Sequence, residues 1–161
     1  DVMYSPSEKL RARRSNFERI LLSLLWVATV DAFQHWVYTS PGHTRSARKN
    51  AWLKEMKRFG GLVNWSGYES TQEILWQDVV HIFESPFYFI EYGIAWLGAL
   101  QIWSNWRDTP ERAMRDYKDA LKLGGSCSLV RLFETAGCEL SFDQLSIRSI
   151  VTQIREEIKR Y

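Results

Sequence analysis

Histidine is scarce in this chain of 161 residues: there are three, His35, His43 and His81, and no His-Glu-x-x-His occurs. A catalytic zinc site takes three protein ligands and an open position, commonly two histidines one helical turn apart plus a carboxylate. His35 and His43 are separated by Pro41 and Gly42, so they share no helix face. The chain alone is therefore expected to hold no zinc. Cysteine is scarcer still. Cys127 and Cys138 make no metal pattern and at most one disulfide, and two reduced thiols in a cytoplasmic protein are expected. There is no G-x-S-x-G elbow for a nucleophilic serine and no glycine loop to cradle phosphate. The GGS at Gly124 to Ser126 lies at the end of a helical pattern, where a cap accounts for it. A net charge of +2, with the basic residues spread out, excludes a nucleic-acid footprint. The first residues, DVMYSPSEKLRARR, are polar and lack the apolar core of a signal peptide.

What the chain has instead is apolar weight: 45% hydrophobic residues, eight of them tryptophans. That is enough to bury a core and argues against disorder. The pattern is helical almost throughout, without period-two alternation, so the expected class is all-α, one helical domain over 1–161. Ser5-Pro6 starts a long helix to about Thr39, with Leu10, Phe17, Leu21, Leu24, Val27 and Ala28 at three-to-four spacing and Arg11, Arg13 and Arg14 on a solvated face. Pro41-Gly42 breaks it, and Thr44 or Ser46 caps a second helix ending at Gly60-Gly61. After a loop with Trp65 and Tyr68, a third helix is expected from Ser70 or Thr71 toward Phe83. Thr109-Pro110 opens another helix ending at Gly124-Gly125, Ser128 to Ala136 forms a short one, and Ser141 with Gln144 matches a capping box for the last.

The most informative stretch is His81 to Trp103, HIFESPFYFIEYGIAWLGALQIW. Pro86 forces Ser85 out of the helical region, and an apolar helix should follow from about Phe87 to Trp106. Its length approaches a membrane span, but Glu91 within it favours a buried helix in a protein core and no membrane. Glu91 reads either as a buried structural acid or as a group supporting a site. Gly93 and Gly98 cost helix stability, so another element is expected to pack closely there. His81, Tyr88 and Tyr92 are spaced to lie on one side of an uninterrupted helix. They read as neutral donors around a reacting carbonyl, or as buried rings that hydrogen-bond locally. Spacing alone leaves both open.

This stretch, with VDAFQHWVYTSPGH, WSGYE, YKDALKLGGS and LFETAG, closely resembles the C-terminal catalytic region of oligoendopeptidase F-type zinc peptidases, relatives of thimet oligopeptidase. The resemblance implies the helical C-terminal portion of a zincin-like catalytic domain, with a groove for oligopeptides. It implies that zinc is held upstream by an HExxH helix and a later Glu, that this chain is a fragment lacking that part, and that alone it is inactive. It further implies that His81, Tyr88 and Tyr92 are catalytic groove residues contacting substrate and tetrahedral intermediate. Position 96 is Trp where that family usually carries a polar residue. The alternative is a stand-alone, non-catalytic helical module that binds peptides or a partner subunit.

Overall fold

The computed structural model describes residues 4–61 and 63–160, so Asp1 and Met3 lie outside the described residues. Among the described residues the chain is all-α, with eight helices and a single 3-10 turn. Contacts group it into two compact units, one spanning Arg19–Gly93 and the other built from the segments before and after it.

Helix α1 (Pro6–Thr39) starts at a reciprocal cap. The Ser5 backbone N–H donates to the Glu8 carboxylate at 2.8 Å, and the Glu8 N–H reaches back to Ser5 Oγ. Arg11, Arg13 and Arg14 are exposed as expected, and Arg14 pairs with Glu18. The expected apolar stripe needs correction. Phe17 and Val27 are buried, but Leu10 is exposed, and Ile20, Thr29, Val30, Phe33 and Gln34 complete the buried face. One window of α1 is long and apolar enough to cross a membrane, with a mean hydropathy of 1.4. Its Thr29, Val30, Phe33 and Gln34 are fully enclosed by protein in this fold.

In the Arg19–Gly93 unit, Val30 and Phe33 join Ala51, Trp52 and Met56 of helix α2 (Arg45–Phe59), together with Trp76, Val79 and Ile82. Trp52 is fully buried, meets Trp26 and Phe33 edge-on, and donates its indole N–H to the Gln72 carbonyl at 2.7 Å. Thr44, not Ser46, caps α2, by accepting from the Ala47 N–H. The left-handed residue after α2 is Gly61 (φ +69°).

The third helix does not run on to Phe83. Helix α3 (Glu69–Ile74) passes into a 3-10 turn at Leu75–Asp78, and Val79 leaves helical geometry before the single turn of α4 (His81–Glu84). Trp76, Val79 and Ile82, carried on the 3-10 turn, the break after it and α4, all reach the core. Ser85 is non-helical, as Pro86 requires. Helix α5 (Ile90–Asp108) starts three residues later than expected, because Phe87 adopts φ +61°. His81 to Trp103 is therefore not one continuous helix. Glu91 is exposed in the first turn of α5, where a carboxylate favours the helix dipole. It is not a buried structural acid.

Both helical glycines sit where another side chain presses on the backbone. A Cβ on Gly93 would lie 3.1 Å from Val27 Cγ1, and one on Gly98 would lie 2.9 Å from Phe133 Cζ. Thr109 precedes α6 (Pro110–Leu123) without capping it, since its hydroxyl donates back to the Asn105 carbonyl. Ser128 caps α7 (Leu129–Thr135), and the Gln101 amide brackets Glu139, donating to its carbonyl at 2.9 Å and accepting from its N–H at 2.8 Å.

The cap of α8 (Gln144–Ile158) is Asp143, whose Oδ1 accepts from the N–H groups of Leu145 and Ser146. Ser141 instead hydrogen-bonds the Asp143 carboxylate. The Ser141 and Ser146 hydroxyls and these N–H groups hold the Asp143 carboxyl well below its ordinary value. The folded carboxyl thus prefers its ionised form more than the unfolded one does. Its contribution is complete above the unfolded value of about pH 4 and fades as pH falls through the lower folded value. Asp143→Ala should lower the thermal midpoint at pH 7, with the gap to wild type narrowing below about pH 4. Paired melts across that range check this; a gap that widens toward acid contradicts it.

Candidate peptide-contact site

Tyr88 and Tyr92 reach His81 from different local elements. His81 opens α4, Tyr88 lies in the bend after Pro86, and Tyr92 is in the first turns of α5. Their rings nevertheless meet. His81 stacks nearly parallel on Tyr88, with centroids 5.6 Å apart and planes 5° apart. Tyr92 stands perpendicular to both, at 5.5 Å from His81 and 5.8 Å from Tyr88. Phe89 closes the cluster against His81 and Tyr92. The Tyr92 hydroxyl and His81 Nε2 are hydrogen-bonded at 3.1 Å.

The cluster is no buried core. Tyr88 and Tyr92 are 43% and 42% exposed, while His81 is half-buried between them. The Tyr88 hydroxyl forms no hydrogen bond among the described residues, so its phenol is free to meet a ligand. A polar, partly exposed aromatic face of this kind offers donors to a carbonyl and ring surface to side chains.

Phe87 makes the bend that presents Tyr88. A left-handed φ on a bulky residue is strained and persists only where neighbours hold it. Here the ring is clamped between His35 (4.9 Å) and Tyr38 (5.3 Å), both on α1. Tyr38 also donates its hydroxyl to the Ile82 carbonyl at 3.0 Å, fixing α4. Asp31, one turn before His35, has its carboxyl raised by burial, an effect opposed by nearby His35. Sequence reasoning missed Phe87, His35 and Tyr38 as supports of this face. It also missed Gln34, whose fully buried amide has no hydrogen-bond partner on either atom among the described residues. The only signal was a polar amide within an apolar face.

The remaining candidates separate from this face. His43 donates from Nδ1 to the Ser40 carbonyl and accepts at Nε2 from the Arg48 guanidinium, which can only donate. Its two ring nitrogens are thus both engaged. Cys127 and Cys138 are free thiols, and burial pushes Cys138 up to about 11, so it is no thiolate nucleophile near neutral pH. Among the described residues no three His, Cys, Asp or Glu side chains could share a metal ion. The donor set here does not fit a zinc site.

The chain resembles two solved structures provisionally named oligoendopeptidase F. With the first it shares 29% identity over 94% of its length, at a TM-score of 0.86. With the second, from Bacillus anthracis str. Ames, it shares 30% identity over 92% of its length, at a TM-score of 0.71. It spans only 27% and 23% of those two chains. No curated protein matches it. Residues 3–151 match the family model described as peptidase family M3. The match takes in α1 through most of α8, with the whole ring cluster, and on that ground the chain belongs to peptidase family M3.

Proposed function

We propose that this chain is the C-terminal catalytic-region part of a zinc-dependent oligoendopeptidase, which cuts internal bonds of short peptides. The observation that carries this reading is the convergence of His81, Tyr88 and Tyr92 on one partly exposed face within a family M3 fold. Tyr88 and Tyr92 donate hydrogen bonds to the peptide carbonyl as it becomes a tetrahedral oxyanion. His81 holds the Tyr92 hydroxyl through Nε2 and stacks against Tyr88, so both phenols are aimed before substrate arrives. Donors fixed in advance stabilise developing charge without reorganising during the reaction.

Zinc and its water-activating carboxylate are assigned to the part of the polypeptide outside this chain, because the donors here do not fit a metal. That part is the partner this chain requires, and an oligopeptide is its substrate. The free thiols agree with a reducing, cytoplasmic setting. The test is hydrolysis of short unstructured peptides and of a folded protein by the full-length polypeptide. The reading expects cleavage of the peptides only, abolished by a chelator and restored by Zn²⁺. Hydrolysis that a chelator leaves intact, or none at all, contradicts it.

A further inference from the structure

We propose that a basic cavity beside α2 is a carboxylate-binding subsite for the peptide, an inference that rests on the peptidase reading above. The cavity encloses about 500 Å³ within the Arg19–Gly93 unit, and Arg45, Arg48, Lys49, Glu73 and Trp76 line it. Glu73 is the one acid in that lining, and it is already paired with Lys49 at 3.2 Å. Two guanidinium groups are left over. Among the described residues neither Arg45 nor Arg48 is paired with a carboxylate.

Arg48 is held in advance of any ligand. Its Nε donates to His43 Nε2 at 2.8 Å, and its guanidinium lies 5.6 Å from the centroid of the Trp76 ring. Trp36 packs against His43 at 5.0 Å, so the acceptor is itself fixed. His43 uses Nε alone, and a ring face makes no hydrogen bond, so the two terminal nitrogens keep their donors. A planar guanidinium held with those nitrogens free matches a carboxylate in two parallel bonds. Arg45, the first residue of α2, adds charge where the helix dipole is also positive.

The Trp76 wall of the cavity is linked by contact to the segment that carries His81. The Trp76 ring contacts Phe83 at 5.7 Å, on the same helical turn that carries His81. A peptide lying on the exposed aromatic face can therefore place a carboxylate toward Arg48. That carboxylate has two sources, the free C-terminus or an acidic side chain. Anchoring either one would select short substrates or acidic ones.

The experiment is calorimetric binding to the full-length polypeptide in excess chelator, so that turnover does not enter. One probe pair is a short peptide as its C-terminal acid and as its amide. The other is an amide with an interior Glu and the same peptide with Gln. The proposal expects about tenfold tighter binding of the acid over the amide, or of Glu over Gln, as a charge-assisted bidentate contact implies. The pair that shows it names the source. Arg48→Gln should erase that difference. If loss of the Trp76 contact unfolds that variant, exposed Arg45→Gln should still shrink the difference by about threefold. Equal binding within both pairs overturns the subsite, as does a difference that survives in the folded variants. Turnover measured separately keeps the two readings apart. Hydrolysis without carboxylate preference removes only the subsite, and preference without hydrolysis removes only the peptidase reading.

Discussion

Replacing Tyr92 with Phe in the full-length polypeptide should lower kcat on an oligopeptide by about 10²- to 10³-fold, while KM moves by less than about threefold. The substitution deletes one oxygen. The ring contacts of Tyr92 with His81, Tyr88 and Phe89 are made by carbon and survive it. What is lost is the hydroxyl bound to His81 Nε2 at 3.1 Å. If that hydroxyl meets the carbonyl oxygen only as charge gathers there, its removal weakens the transition state and spares the ground state, which is a kcat effect. Tyr88→Phe should act in the same direction, because its phenol has no competing partner within the described fold. Steady-state kinetics on one peptide decide the matter. A rise in KM at constant kcat would make Tyr92 a plain binding contact, and no change in either would remove it from the site.

The second large effect is on stability. Trp52→Ala should destabilise the fold by about 3–5 kcal/mol, the range for truncating a large buried aromatic side chain. The indole is fully buried among Trp26 and Phe33, and its N–H is bonded to the Gln72 carbonyl at 2.7 Å. Truncation opens a cavity beneath α1 and also strips the partner from that carbonyl. Since whole domains are stable by only about 5–15 kcal/mol, the variant should show a much lower denaturant midpoint or no cooperative transition. A midpoint shift equivalent to less than about 1 kcal/mol would mean that the core collapses around the gap.

The local rules that the chain obeys were readable from it. Breaks at Pro41-Gly42 and Gly60-Gly61, the short helix from about Ser128 and the stop at Gly124 follow from residues whose conformational preferences are strong on their own. Gly93 and Gly98 were readable too, since a helical glycine costs stability that only close packing offsets, and Val27 and Phe133 fill the space. Phe87 was not readable. Nothing intrinsic to a phenylalanine after Pro86 favours φ +61°; His35 and Tyr38, far off in sequence, hold it there. The end of α3 at Ile74 was not readable either, since no glycine or proline marks it and the chain tightens there into a 3-10 turn. At α8 two cap-forming residues stood two positions apart, and Asp143 caps the helix through the Leu145 and Ser146 N–H groups, so it begins two residues later than a Ser141 cap would start it.

The candidate site shows the same division. The spacing of His81, Tyr88 and Tyr92 suggested a shared face for a reason that does not hold, since no single helix carries all three. The bend at Phe87 brings the rings together by another route. Arg48 was invisible as a ligand for the opposite reason. In sequence it is one basic residue of an amphipathic helix, and only the fold places His43 and Trp76 around it.

The account turns on whether the His81–Tyr88–Tyr92 face meets the reacting carbonyl. The measurement that tests this most directly is a crystal structure of the full-length polypeptide with a phosphinic peptide, whose phosphinyl oxygen stands where the oxyanion forms. The predicted result is that oxygen within about 2.5–3.0 Å of the Tyr88 or Tyr92 hydroxyl, the range of a charge-assisted hydrogen bond. An inhibitor bound with its phosphinyl group turned from both phenols, and with His81 facing solvent, would contradict it.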